Sequence, residues 1–167
     1  KIEKKALRFG RLNDAFLAMD HQIQEDQIVK LSEDYITYLS TFNYLFENTF
    51  EILDYLNQNY NLHIITNGFE EVQHKKLTRS KIIHYFDTIT NSEMVGVKKP
   101  NPKIFNYALK QANAEITKSI MIGDSYEADI LGAKSIGMEV IFFDVNNTII
   151  DTNVKQINNL ISLKSYL

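Results

Sequence analysis

The chain has no cysteine, and only two prolines and six glycines among its 167 residues. Without cysteine there is no disulfide framework, no thiolate nucleophile and no thiolate site for zinc or an iron–sulfur cluster. Any chemistry therefore falls to carboxylates, lysine, hydroxyls or histidine. No Pro/Gly-rich linker, low-complexity segment or internal repeat breaks the sequence. Positive charge is not in excess: 18 Lys and Arg against 21 Asp and Glu leave a net charge of −3. That balance offers no broad basic surface to displace counterions from a nucleic-acid polymer. Apolar runs long enough for a membrane span are missing, as is a basic segment followed by an apolar one, so the expectation is a cytoplasmic protein that engages no membrane. What is present, 44% hydrophobic and 23% charged residues, matches one globular core with at most a small appendage. Nothing in the sequence reports on oligomeric state.

Two amphipathic patterns open the chain. Ile2, Ala6, Phe9, Leu12, Phe16 and Met19 follow steps of three and four, and Ile28, Leu31, Tyr35 and Leu39 repeat the rhythm, predicting two packed helices. Asn48, with Glu51 three residues on, resembles a capping box opening a helix over about 49 to 60. From there the pattern changes. Leu62 to Ile65, Ile120 to Ile122 and Val140 to Phe143 read as strands buried on both faces, separated by helical segments, which predicts an α/β fold with a parallel sheet. Asn101 and Pro102 provide a cap and a preformed first turn for a helix whose stripe is Ile104, Phe105, Ala108, Leu109 and Ala112. Another helix is predicted over 126 to 136, closed by Gly137. The change of pattern divides the chain into residues 1–47 and 48–167.

Open parallel sheets bind ligands outside the carboxyl ends of their strands. Those ends carry Thr66-Asn67-Gly68 and Gly123-Asp124-Ser125 here, with Val97-Lys98-Lys99-Pro100 between them in sequence. A hydroxyl, a lysine and a carboxylate at one edge are the parts needed to hold a phosphoryl group and a divalent metal. Each part also has a plainer explanation. Thr66-Asn67-Gly68 can be a strand-ending turn, Lys99 a solvated loop charge, and Asp124 a helix cap. The spacing of Asp124 and Asp129 favours chemistry, because two nearby carboxylates are costly without a cation between or beside them. Elsewhere, His63, His74 and His84 show no metal-ligand pairing, Glu70 and Glu71 suit a helix N-terminus, and Phe42, Tyr44 and Phe46 are expected to pack into the core at a hinge.

With these residues in order, the chain resembles the haloacid dehalogenase superfamily of aspartate-nucleophile phosphohydrolases, most strongly over residues 62 to 138. The resemblance implies a Rossmann-like parallel sheet with helices on both faces, and makes residues 1–47 part of an all-α cap. It implies phosphate binding by Thr66, Asn67, Gly68 and Lys99, with Thr66 and Lys99 as the catalytic pair stabilising the phosphoryl charge. It implies Mg²⁺ on Asp124, with Asp129 supporting the metal or the lysine. The substrate it implies is a small phosphomonoester. The run from Asn43 to Leu109 looks like the subgroup acting as pyrimidine 5′-nucleotidases. Two alternatives stay open: a metal-free 2-haloacid dehalogenase, and an inactive fragment or phosphate-binding protein.

The family's nucleophile motif, Asp-x-Asp-x-Thr, is not found before the first helix. Asp144-Val145-Asn146-Asn147-Thr148 has its outline, but Asn146 stands where an acid/base carboxylate is required, and an amide cannot donate and recover a proton at neutral pH. Asp144 is expected to be a strand-end residue near the rim. In the family the missing strand lies between those ending at Thr66 and Asp124, so the expectation is a gap there. A preceding segment of about 30 residues or more would carry the strand and its connection.

Overall fold

The computed structural model describes residues 4–148 and 153–167. It divides into two compact units, Lys1–Asn43 and Tyr44–Leu167.

The first unit is a pair of helices, α1 (Lys4–Ala18) and α2 (Glu25–Leu39). Glu25 and Asp26 place negative charge in the first turn of α2, where the helix dipole favours it. The buried stripe of α2 is Ile28, Ser32 and Ile36, continued by Ser40. The expected Leu31 and Tyr35 are instead 39% and 53% exposed. Half of the true stripe is serine, which an apolar pattern cannot show. The hydroxyls are tolerated because they are bonded: Arg8 Nε donates to Ser32 Oγ at 3.3 Å, and Ser40 Oγ donates to the Thr37 carbonyl at 2.9 Å. On α1, Phe9, Leu12 and Phe16 are half-buried as predicted, while Ala6, and Met19 just past the helix end, are exposed. Ile2 lies outside the described residues.

The second unit is built of parallel strands alternating with helices. In order they are α3 (Thr49–Asn57), β1 (Leu62–Thr66), α4 (Glu70–Arg79), β2 (Phe86–Asn91), α5 (Ser92–Val95) and α6 (Pro102–Ala112). They continue with β3 (Ile120–Gly123), a π-helical turn (Tyr126–Leu131) running into α7 (Gly132–Lys134), β4 (Glu139–Phe143) and β5 (Lys155–Ile157). Side chains alternate across the strands. Val140 and Phe142, with half-buried Met121 and Ile65, pack with Ile104 and Phe105 of α6 and with Ile130 and Ala133. On the opposite face Ile141 and Phe143, with half-buried Leu62, Ile120 and Ile122, pack with Ile52 and Leu56 of α3. Helices therefore cover both faces, as the alternation predicted. Ile104, Phe105, Ile130 and Ile141 are completely buried, each worth about 1.5 to 3 kcal/mol of removed apolar surface.

The strands form two separate sheets, β1-β2 and β3-β4-β5. Among the described residues no strand pairs with the other side of β1 or of β3. The gap expected from the sequence concerns these same two strands, β1 and β3, which here belong to different sheets. The structure also corrects the expectation that all three apolar runs are buried on both faces: β4 is buried from Val140 to Phe143, but β1 and β3 are half-buried along their whole lengths. A strand with one neighbour has one open edge.

Local signals succeeded or failed for identifiable reasons. Asn101 Oδ1 accepts the Lys103 N–H at 3.0 Å with Pro102 in the first turn, as expected. Asn48 makes no capping bond: it sits in the left-handed region at φ 60°, and Glu51 accepts from Lys164 Nζ instead. The regular helix expected over 126 to 136 opens as a π turn, in which Ile130 N–H reaches the Ser125 carbonyl at 3.3 Å. Gly137 does follow its end, at φ 83°. Phe46 packs edge-on against Phe143, but Phe42 and Tyr44 are 62% and 96% exposed, so the hinge aromatics are not a core. Tyr85 anchors the short turn before β2 by donating its hydroxyl to Asp54 Oδ1 at 2.5 Å. That bond, then burial and the charge of Asp54, hold the phenol above the ordinary tyrosine range.

Candidate active site

The chain leaves β1 through Thr66-Asn67-Gly68. Thr66 Oγ1 accepts the Gly68 N–H at 3.0 Å, closing a tight turn, and the hydroxyl keeps its own proton as a donor. Ser92 Oγ, at the start of α5, donates to the Asn67 carbonyl at 3.2 Å. The α4 N-terminus that follows is capped by another element, since Glu93 Oε2 accepts the Glu70 N–H at 3.0 Å.

Lys99 meets this turn through its main chain. Asn67 Oδ1 accepts the Lys99 N–H at 2.7 Å, and Asn67 Nδ2 donates to the Lys99 carbonyl at 3.0 Å. The Lys99 side chain then runs to the carboxyl end of β1, where Nζ donates to the Ile65 carbonyl at 2.8 Å. The same Nζ lies 2.5 Å from Asp129 Oδ1, with side-chain exposures of 11% for the lysine and 5% for the aspartate. An ammonium has three donors, and one of them is committed to the Ile65 carbonyl in a directed hydrogen bond.

Asp129 comes from the π turn. Its Oδ2 accepts the Ser125 N–H at 3.1 Å. Its Oδ1 is fully buried and receives no well-directed hydrogen bond, so the contact with Lys99 is ionic. Gly123 is required by this packing: a Cβ there would overlap the Asp129 carboxylate. Asp124, one residue beyond β3, is exposed. The structure thus joins Thr66, Asn67, Gly68, Lys99 and Asp129 in one hydrogen-bonded and ion-paired set, with Asp124 at the end of the adjoining strand.

No three His, Asp or Glu side chains converge among the described residues. Mg²⁺ does not need three: it keeps several waters and commonly takes one or two carboxylates together with substrate phosphate. Asp124, exposed just beyond the end of β3, is a carboxylate of the kind such an ion takes, while Asp129 Oδ1 is buried against the Lys99 ammonium.

Asp144 is elsewhere. It is 3% exposed, not a rim residue, and accepts from Thr148 Oγ1 at 2.9 Å and Gln156 Nε2 at 2.5 Å, pinning the end of β4 to β5. Residues the sequence reading passed over are Ser92 and Glu93, which brace the turn and α4. They follow β2, whose Asp87, Thr88 and Thr90 hide it from an apolar-run search. His63 is a packing residue, with Nδ1 2.9 Å from Thr88 Oγ1.

A strand-end hydroxyl and a buried lysine ion-paired with an aspartate thus stand together on a parallel α/β core. Residues 5–143 match the family model for haloacid dehalogenase-like hydrolases, and the chain belongs to that family. It is 37% identical over 119 residues to the pyrimidine 5′-nucleotidase YjjG of Escherichia coli, covering 71% of this chain and 53% of that protein. It is 31% identical over 149 residues to the pyrimidine 5′-nucleotidase PynA of Streptococcus pneumoniae, covering 86% and 60%. A glyceraldehyde 3-phosphate phosphatase of Pyrococcus abyssi is 43% identical over 84 residues, or 50% of this chain and 35% of the relative. Among solved structures, the magnesium-bound HAD-hydrolase YfnB of Bacillus subtilis superposes with a TM-score of 0.85 at 26% identity, covering 100% of this chain and 73% of the other. The chain thus spans about half the length of YjjG and about a third of the archaeal phosphatase.

Proposed function

We propose that this chain carries the phosphoryl-binding core of a Mg²⁺-dependent phosphohydrolase acting on a small phosphomonoester, with pyrimidine nucleoside 5′-monophosphates as the substrate class. The observation that carries the reading is Lys99 Nζ, buried and held between the Ile65 carbonyl and Asp129 beside the turn that presents the Thr66 hydroxyl. Thr66 and Lys99 donate to phosphoryl oxygens as charge develops on them. The Asn67-Gly68 turn forms the wall of that pocket. Asp129 fixes the ammonium, and Asp124 is the metal ligand. Mg²⁺, when bound, neutralises phosphoryl charge.

Hydrolysis through an aspartyl-phosphate also needs a carboxylate nucleophile. The sequence's own imitation of that motif, at Asp144, is bonded to Thr148 and Gln156. We place the nucleophile on a strand seated between β1 and β3, each of which has an edge with no partner strand among the described residues. Residues 1–47 are read as part of an all-α cap. The likeness to YjjG and PynA supports the choice of pyrimidine nucleotides; the archaeal phosphatase supports phosphomonoesters more broadly.

The experiment is orthophosphate release from pyrimidine nucleoside 5′-monophosphates by the intact natural polypeptide, with and without Mg²⁺. Release that requires Mg²⁺ and falls at least about a hundredfold in Lys99→Met and Asp124→Asn supports the proposal. Unchanged release after Asp124→Asn overturns it. Chloride release from 2-haloacids without Mg²⁺ would instead select the dehalogenase reading, and phosphate binding without turnover the non-catalytic one.

A further inference from the structure

The Asn67 side chain spends both of its polar atoms on one other residue. Its oxygen accepts the Lys99 N–H at 2.7 Å and its amide nitrogen donates to the Lys99 carbonyl at 3.0 Å. The two partners fix the amide orientation without ambiguity, because a backbone N–H can only donate and a carbonyl only accept. The side chain therefore imitates a neighbouring peptide group and binds residue 99 as a strand would. Lys99 lies in a loop, after a helix of four residues and before Pro102 opens α6. No strand ladder holds it. Beyond the Asn67 pair, Lys99 is held through Nζ, at the far end of a flexible side chain.

We infer that Asn67 is a positioning residue for Lys99: it fixes the lysine's main chain against the β1 turn so that Nζ reaches the Ile65 carbonyl and Asp129. This rests on the reading of Lys99 as a phosphoryl ligand and adds a division of labour within Thr66-Asn67-Gly68. The Thr66 hydroxyl faces the ligand, and the Asn67 side chain faces the lysine. Preorganisation of this kind matters because a misplaced donor loses much of its electrostatic effect.

The test is the acetylation rate of individual lysines in the full chain, read by peptide mass spectrometry, with and without inorganic orthophosphate. Lys98 and Lys103, both exposed, serve as internal references. In Asn67→Ala, Lys99 should react about tenfold faster relative to Lys98 and Lys103 than in the unaltered chain. Ile52→Ala, which loosens the opposite face of the sheet, should leave the Lys99 ratio unchanged and so separates positioning from general loss of stability. A Lys99 ratio within about twofold of the unaltered chain in folded Asn67→Ala, or an equal rise in Ile52→Ala, would overturn the inference. If Asn67→Ala fails to fold, Asn67→Asp decides: it keeps the bond to the Lys99 N–H and loses the one to its carbonyl, and an unchanged Lys99 ratio there overturns the inference as well. Orthophosphate should slow Lys99 acetylation in the unaltered chain. Failure of that protection alone, with the Asn67→Ala effect intact, would reject the phosphoryl role and leave the positioning role standing.

Discussion

Lys99 and Asp129 form a nearly water-free ion pair, 2.5 Å apart, that ties the loop before α6 to the π turn after β3. A pair this buried contributes little net stability compared with an apolar replacement, but breaking it leaves one charge stranded. Lys99→Met is therefore expected to cost about 3 to 5 kcal/mol in urea unfolding, and adding Asp129→Leu to recover most of it. A single-variant loss below about 1 kcal/mol would mean the pair behaves as a surface bridge.

Gly123 lies against Asp129 so closely that a Cβ has no room. Gly123→Ala should push the carboxylate off Lys99 and the Ser125 N–H, at about 1 to 3 kcal/mol of overpacking. Lys99 should become more reactive to acylation in the same variant. Gly68→Ala makes the contrast, since only the flexible Gln73 side chain stands in the way there.

Asp144 separates a structural carboxylate from a catalytic one. Asp144→Ala removes the acceptor for Gln156 and Thr148 and should cost about 1 to 3 kcal/mol. Orthophosphate release by the intact polypeptide should be unaltered at temperatures where the variant stays folded. Abolished release with an unchanged melting temperature would restore Asp144 as the nucleophile.

Tyr85 gives a pH dependence of known sign. Its phenol is raised because the neutral hydroxyl donates to Asp54. Protonated Tyr85 is thus favoured in the folded state, so its contribution is complete below the unfolded value of about 10 and is lost as pH rises through the higher folded value. Melting temperature should be lower in Tyr85→Phe than in the unaltered chain at neutral pH. The difference should shrink under alkaline conditions. A constant difference across that range would contradict the assignment.

Much of the second unit was legible because its elements obey local rules: Asn101-Pro102 announces α6, and Val140 to Phe143 is apolar throughout because that strand is covered on both faces. β2 was not legible, since Asp87, Thr88 and Thr90 give it no apolar run, and its place is set by pairing with β1. In α2 the stripe was misread because Ser32 and Ser40 occupy it, and a buried serine is betrayed only by its bonding partner. The candidate site residues were picked out by their order along the chain, and the structure brings Asn67, Lys99 and Asp129 together. Their division of labour was not. That Asn67 serves Lys99, and that Glu93 caps α4, depends on contacts between residues more than twenty positions apart.

The bonds that fix the turn after β1 also govern its chemical lifetime. In an Asn-Gly pair the glycine nitrogen attacks the asparagine side-chain carbonyl, expels ammonia and closes a succinimide, which water opens to aspartate or isoaspartate. At Asn67-Gly68 the attacking N–H is engaged by Thr66 Oγ1 and the amide under attack is held at both atoms by Lys99. The native fold thus slows this reaction at the very pair its lysine depends on, and each excursion to the unfolded state exposes it. Heat-stressed material should accumulate deamidation at Asn67 faster than folded material, and the change replaces the donor facing the Lys99 carbonyl with a negative oxygen.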